Sequence, residues 1–234
     1  MSKLIFLDVE TTGLDEEDRL CEVAYCIDDG EMERSFFHPP VPIKVGAMAV
    51  SHITNNMVAD AEPFAGSDMW EKLTQMNNSE YILVAHNAPF DLSMLEREGI
   101  KFDKYIDTKK LSHALDTDDT MESHRLQYLR YYYGIEMPEA LAHSAEGDVK
   151  VLRAVYHKLV TELGGISLEE QLEISSRPVL YSVFKFGKYK DQRIGDVART
   201  NPQYIEWLLE QKRGNGQVEA DWIYTLEHYL RNHA

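Results

Sequence analysis

Four consecutive apolar residues, Leu4-Ile5-Phe6-Leu7, run straight into an acid, and a second acid follows two places later: Asp8 and Glu10. Such a run reads as a short buried strand over residues 3–8. Side chains two apart on a strand point to the same side of the sheet. The chain therefore has to hold two carboxylates side by side at the end of a buried strand, where an unneutralised charge is expensive. Two arrangements meet that demand. Either the strand end is solvated and Thr11-Thr12-Gly13 turns away from it, or these hard oxygen donors hold a divalent cation such as Mg²⁺ or Mn²⁺.

The strand texture returns at residues 20–27 and 81–85, and more briefly at 32–37, where Pro39-Pro40 stops it. Helical spacing covers 67–75, 91–98 and 126–133. It is clearest over 149–163, where Val149, Leu152, Tyr156, Leu159, Val160 and Leu163 follow the helical period and Gly164-Gly165 closes the helix. Strands separated by helices predict an α/β layered domain over residues 1–165. Residues 166–178 read as a linker with its own short helix, headed by the capping pair Ser167 and Glu170. Residues 179–234 predict a small α+β domain. It comprises a hairpin running from 179–186 through Gly187-Lys188-Tyr189-Lys190, a helix opened by Asn201-Pro202, and a last helix over 222–230. The length of 234 residues suits this division.

No window approaches the roughly 18 apolar residues of a membrane-spanning helix, and the N-terminal apolar run is too short for a secretory signal. Cys21 and Cys26 lie five strand steps apart, about 16 Å, beyond the reach of about 7 Å that a disulfide needs. They read as reduced core thiols of a cytoplasmic protein. His113, His124, His157, His228 and His233 read as surface residues. The chain carries 24 Lys+Arg against 40 Asp+Glu, a net charge of −16, which as a bulk property argues against a nucleic-acid partner. The excess of acid is concentrated in the first 165 residues. The tail has a basic stretch in which Lys185, Lys188, Lys190 and Arg193 alternate with Phe184, Phe186 and Tyr189. That mixture suits contact with phosphates and stacking on bases, or an ordinary solvated hairpin over core aromatics.

Two further acids stand in apolar settings. Asp91 follows the strand 81–85 through His86-Asn87-Ala88-Pro89-Phe90, at the start of a helix beyond the carboxyl end of that strand. That is where open α/β sheets place ligands, and equally a place where an acid caps a helix. Asp148 sits one position before the apolar face of the 149–163 helix, and His143 lies about a turn earlier, so a carboxylate and an imidazole can face one cavity.

In their order and intervals these segments resemble the DEDD exonucleases, in the His-containing DEDDh branch. Asp8-Val9-Glu10-Thr11-Thr12-Gly13-Leu14 is similar to the first motif of that family, His86-Asn87-Ala88-Pro89-Phe90-Asp91 to the second, and His143-Ser144-Ala145-Glu146-Gly147-Asp148 to the third. Ser144 stands where the Tyr branch would need tyrosine. The tail, at 184–189 and 201–207, resembles the C-terminal domain of the exodeoxyribonuclease X subgroup. The resemblance implies a ribonuclease-H-like fold, a mixed central sheet flanked by helices. It implies a cage of Asp8, Glu10, Asp91 and Asp148 for two Mg²⁺ (or Mn²⁺) ions, with Asp8 shared between them and His143 as general base toward the attacking water. It implies contacts to the terminal nucleotide from Thr11, Thr12, Gly13, His52, Asn87 and Phe90.

The implied reaction is hydrolysis of DNA from a free 3′ end, single- or double-stranded, releasing nucleoside 5′-monophosphates, in DNA repair. A 3′→5′ exoribonuclease acting on RNA, or a polymerase proofreading subunit, remains open within the same branch. Outside enzymes, a nucleic-acid-binding module would keep the fold but lack cage acids. The oligomeric state is left open, and no membrane partner is expected.

Overall fold

A computed structural model describes residues 2–140, 142–214 and 219–233. It opens with β1 (Lys3–Thr11), β2 (Leu20–Ile27) and β3 (Glu33–Phe36), followed by α1 (Val45–Ser51), α2 (Asn55–Val58) and α3 (Asp68–Gln75). Next come β4 (Tyr81–Ala85), α4 (Ala88–Arg97), β5 (Tyr105–Asp107) and α5 (Thr108–Leu115). The remainder is helical: α6 (Leu126–Tyr132), α7 (Ala145–Glu162), α8 (Leu168–Ser176), α9 (Ile194–Thr200), α10 (Pro202–Arg213) and α11 (Ala220–His233).

The five strands form one mixed sheet in the order β3-β2-β1-β4-β5. The central β1 is antiparallel to β2 and parallel to β4. Because side chains alternate along a strand, β1 contributes to two cores. Ile5, Leu7 and Val9 pack on one face with Leu73 of α3 and with Met94 and Leu95 of α4. Phe6 packs on the other with Ala24, Ile82 and Val84, beneath Leu111 of α5, Leu129 of α6 and Val149, Leu152, Val155 and Leu159 of α7. Asp8 and Glu10 have the parity of Phe6, so they lie on the side covered by α7.

β1 runs three residues further than its apolar stretch suggests. Asp8, Val9 and Glu10 stay in the sheet because they pair with Ala24, Val23 and Glu22 of β2. β5 has only three residues, too few to show a period, and exists because Leu83, Val84 and Ala85 of β4 pair with it. Cys21 and Cys26 are free and buried in separate clusters. Among the described residues no helix is long and apolar enough to cross a membrane.

One expectation about the C-terminal part is corrected, the hairpin. Residues 166–178 carry the expected short helix, α8, headed by the capping box of Ser167 and Glu170, and it packs against the first unit. Its Gln171 accepts a hydrogen bond from Tyr156 Oη at 2.8 Å, and Ser175 Oγ accepts one from the Asp107 amide at 2.9 Å. The hairpin is reduced to one isolated bridge, Val183 with Arg193. The chain between them folds back on Phe184, whose carbonyl accepts from the Asp191 amide and whose amide donates to Gln192. Phe184 is thereby turned into a core with Ile194, Val197, Ile205 and Leu226, drawn from α9, α10 and α11.

Candidate active site

The site is built at the carboxyl edge of the parallel strands, where α/β sheets leave a crevice. β1 delivers Asp8 and Glu10 from below, and α7 delivers Asp148 from above. Ser144 caps α7 by accepting the Gly147 amide at 3.2 Å, which sets Asp148 in the first helical turn. Carboxylate oxygens of Asp8, Glu10 and Asp148 lie within 4.8 Å of one another. Asp91 arrives on the first turn of α4, is buried, and stands close enough to Asp8 that their charges repel.

Burial, then the neighbouring acids Asp91, Asp148, Glu10 and Glu22, hold the Asp8 carboxyl well above the ordinary carboxylate range. Burial and the charges of Asp148 and Glu22 push Glu10 up to about 8. Asp91 is also raised well above its ordinary value by burial, which backbone hydrogen bonds at Asp91 and Val9 only partly offset. Asp148 is raised by burial as well, against the bonds it accepts from Gln127 Nε2 at 2.6 Å and from the His143 amide at 2.9 Å. Two buried acids, Asp91 and Asp148, and two half-buried ones, Asp8 and Glu10, in mutual repulsion and offering only hard oxygen donors, fit a divalent cation.

His143 is exposed, in a left-handed conformation (φ +60°), one turn ahead of Asp148 and tied to it through its backbone. Asn87 and His52 are also left-handed, at φ +70° and +59°. Asn87 donates its amide to buried Asp107 at 3.0 Å and accepts from Lys109 Nζ at 3.2 Å. Phe90 is half-buried against the first core. A cleft of about 310 Å³ is walled by Leu14, Asn87, Phe90, Asp107 and Lys109, with Asp221 of the tail opposite. The four acids do not line it.

Thr12 is taken up internally. Its amide donates to Arg19 O, its hydroxyl donates to Asp18 Oδ1 at 2.8 Å, and its carbonyl accepts from Lys44. It therefore shapes the turn rather than presenting a free group. Thr11 donates its hydroxyl to Gly13 O at 2.7 Å. Gly13 has no room for a side chain, since an added Cβ would come within 2.4 Å of Asp18 Oδ2 and 2.8 Å of Lys44 Cδ.

Lys185 is likewise engaged, donating Nζ to the Asp119 and Met121 carbonyls at 2.8 and 2.9 Å, so it is no free phosphate contact. Lys188, Lys190 and Arg193 are exposed. Phe184, Phe186 and Tyr189 belong to the tail core, which removes them as a base-stacking row. Of the histidines expected on the surface, His157 is exposed and His228 half-buried, and the side chain of His233 lies outside the described residues. His124 and His113 are enclosed against each other, ring centroids 3.6 Å apart.

Glu22 went unnoticed in the sequence. It is fully buried opposite Glu10, paired with Arg34, and accepts the Ala145 amide at the start of α7 at 3.1 Å. Gln127 and Asp107 were missed as well. No local spacing marks any of the three; an acid inside the apolar strand 20–27 was the one available signal. His86, within the second segment, is structural. Burial pushes its imidazole down to about 3, and its ring nitrogens bond Thr108 Oγ1 and the His124 carbonyl.

The sequence pattern of the exonuclease family matches residues 5–156, and that of the exodeoxyribonuclease X-like C-terminal family matches 184–213. Exodeoxyribonuclease 10 of Escherichia coli (strain K12) is 31% identical over 235 residues, 98% of this chain and 99% of that protein. The PolC-type DNA polymerase III of Staphylococcus epidermidis is 27% identical over 224 residues, 90% of this chain but 14% of the polymerase. A solved structure of exonuclease X in complex with 5′-overhanging duplex DNA superposes with a TM-score of 0.58 at 25% identity, covering 75% of this chain and 100% of that one.

Proposed function

The chain belongs to the exonuclease family, and from that premise we propose that it hydrolyses DNA from the 3′ end, releasing nucleoside 5′-monophosphates. The observation that carries this reading is the convergence of Asp8, Glu10 and Asp148 within 4.8 Å, with Asp91 beside Asp8. Full-length similarity to an exodeoxyribonuclease supports DNA as the substrate. Two divalent ions, Mg²⁺ or Mn²⁺, would supply the charge that offsets the attacking and leaving oxygens. Asp8, Glu10, Asp91 and Asp148 would hold them. Gln127 and the His143 amide fix both oxygens of Asp148, and Glu22, opposite Glu10, adds negative charge to the site.

His143 takes the proton of the attacking water. Its imidazole is exposed, one turn ahead of Asp148, and water then displaces the 3′-oxygen of the penultimate nucleotide. Gly13 and the Thr11 backbone, with His52, Asn87 and Phe90, border the terminal nucleotide. Residues 1–165 form the catalytic unit and 179–234 an accessory unit that offers Lys188, Lys190 and Arg193 to the DNA backbone, with 166–178 joining them. A role in DNA repair follows from the same reading.

The test is nucleotide release from 3′-labelled DNA oligonucleotides. Asp148→Ala should abolish it, and His143→Ala should lower it by roughly 10²–10⁴-fold, with both variants folded by circular dichroism. Unchanged release from either would refute the assignment. Faster release from a matched RNA oligomer, whose 2′-hydroxyl the site would then be reading, would move the enzyme to the ribonucleolytic side of the family.

A further inference from the structure

A second group of metal-type ligands lies away from the acidic site, at the seam between the catalytic unit and the tail. His113 ends α5, and Asp119 and His124 lie in the loop that follows. Each offers one ligand atom, and the three fall within 4.8 Å of one another; the nitrogens without partners are His113 Nδ1 and His124 Nε2. Both nitrogens are buried and have no hydrogen-bond partner. Both side chains are about nine-tenths buried, at 10% and 7% exposure.

The tautomer of His124 follows from its neighbours. Ser112 Oγ has one proton and gives it to the Lys109 carbonyl at 2.7 Å. The 2.9 Å contact between Ser112 Oγ and His124 Nδ1 must therefore be donated by the imidazole. That leaves Nε2 with a bare lone pair, aimed at Asp116 Oδ2 at 3.4 Å. Asp116 is already an acceptor, taking the Met121 amide at that same oxygen and the Thr120 amide and hydroxyl at the other. His113 Nδ1 faces Asp119 Oδ1 at 3.9 Å. The bare His124 nitrogen opposite a carboxylate oxygen is repulsive as it stands, and together with the unpartnered His113 nitrogen it is complementary around a cation.

We propose that His113, His124 and Asp119 bind one zinc-type divalent ion, a set of three protein ligands that leaves a fourth position open. Bonds of roughly 2.0–2.2 Å in a tetrahedron place neighbouring ligand atoms about 3.3–3.6 Å apart; His113 Nδ1 and Asp119 Oδ1 stand at 3.9 Å, so a small inward shift closes the site on an ion. The relay from His124 through Ser112 to Lys109 O is the outer support that ligating histidines require. Nitrogen donors select zinc over the hard cations suited to an all-carboxylate cage.

The ion would fasten the tail. Asp119 Oδ2 accepts the Ser182 and Val183 amides, its carbonyl accepts Lys185 Nζ, and Tyr181 packs edge-on against His113 at 5.3 Å.

The test separates the two sites. In Asp8→Asn/Asp148→Asn chain, stripped with chelator and reloaded, one equivalent of Zn²⁺ should survive gel filtration. Co²⁺ should give the intense visible bands of four-coordinate geometry. His113→Gln or His124→Gln should remove that equivalent, and Ser112→Ala should weaken zinc binding by about 10–100-fold while keeping the ligands. No retained zinc in the cage-silenced chain, or retention that neither histidine variant lowers, would overturn the proposal. Because the cage-silenced chain keeps both histidines, a histidine variant that fails to fold leaves the test decided by that chain alone.

Discussion

At the scale of single residues the site is dominated by unfavourable charge. Glu10 titrates near 8 in the folded chain against an ordinary 4.5, so the folded state binds its proton more tightly than the unfolded state. Stability from this group is therefore full below about pH 4.5 and is lost as pH rises toward 8. Asp8 and Asp91 act in the same direction. Thermal melts of the chain in chelator should show a midpoint that falls across this interval, and Mg²⁺ should flatten the slope by binding the folded form. Asp8→Asn should raise the metal-free midpoint at pH 8 while abolishing nucleotide release. A flat metal-free profile would contradict the electrostatic account. Gly13→Ala should displace the turn, because its Cβ would overlap Asp18 and Lys44; an increased KM with the fold retained is the expected readout. These acids stood out in the sequence because they interrupt apolar runs, whereas Glu22 sits in a strand whose neighbours all look like core.

At the scale of elements, α7 is the part on which the site depends. Its periodicity made it the clearest helix in the chain, and its start was displaced: the helix begins at Ala145, four residues before its apolar face. Ser144→Ala removes the side-chain cap and should destabilise the protein by about 1 kcal/mol, measured by urea denaturation. kcat should fall as well, because the frayed turn is the one that carries Asp148. Full activity with lowered stability would show that Asp148 is held by Gln127 and the His143 amide alone. β5 and α9 were not legible. β5 has three residues, and α9 is a short helix whose Ile194, Val197 and Ala198 acquire meaning only when Phe184 and Leu226 close over them.

For the whole molecule, the negative charge proved a poor guide to function. Several of the acids are gathered at one sheet edge, where they suit a cation, while Lys188, Lys190 and Arg193 are exposed on the tail. Lys188→Glu/Lys190→Glu should weaken DNA binding and reduce its dependence on salt, as read by anisotropy titrations at several salt concentrations. Lys185→Ala should instead loosen the tail, since its amine ties 185 to the carbonyls of 119 and 121. An unchanged salt dependence in the double variant would place the DNA elsewhere. The sequence alone determined the alternation of strands and helices and the chemical kind of the acids gathered at the sheet edge, because each is written in spacings of a few residues. Only the tertiary structure decided which polar groups are free and which are already engaged. Thr12 and Lys185 proved to be engaged in internal bonds, Glu22 to be buried opposite Glu10 and paired with Arg34, and His113 and His124 to form an enclosed pair. Each outcome depends on a partner distant in the chain or brought close by burial, as Asp119 is to Ser182. Burial is a property of the assembled layers, and no local spacing encodes it.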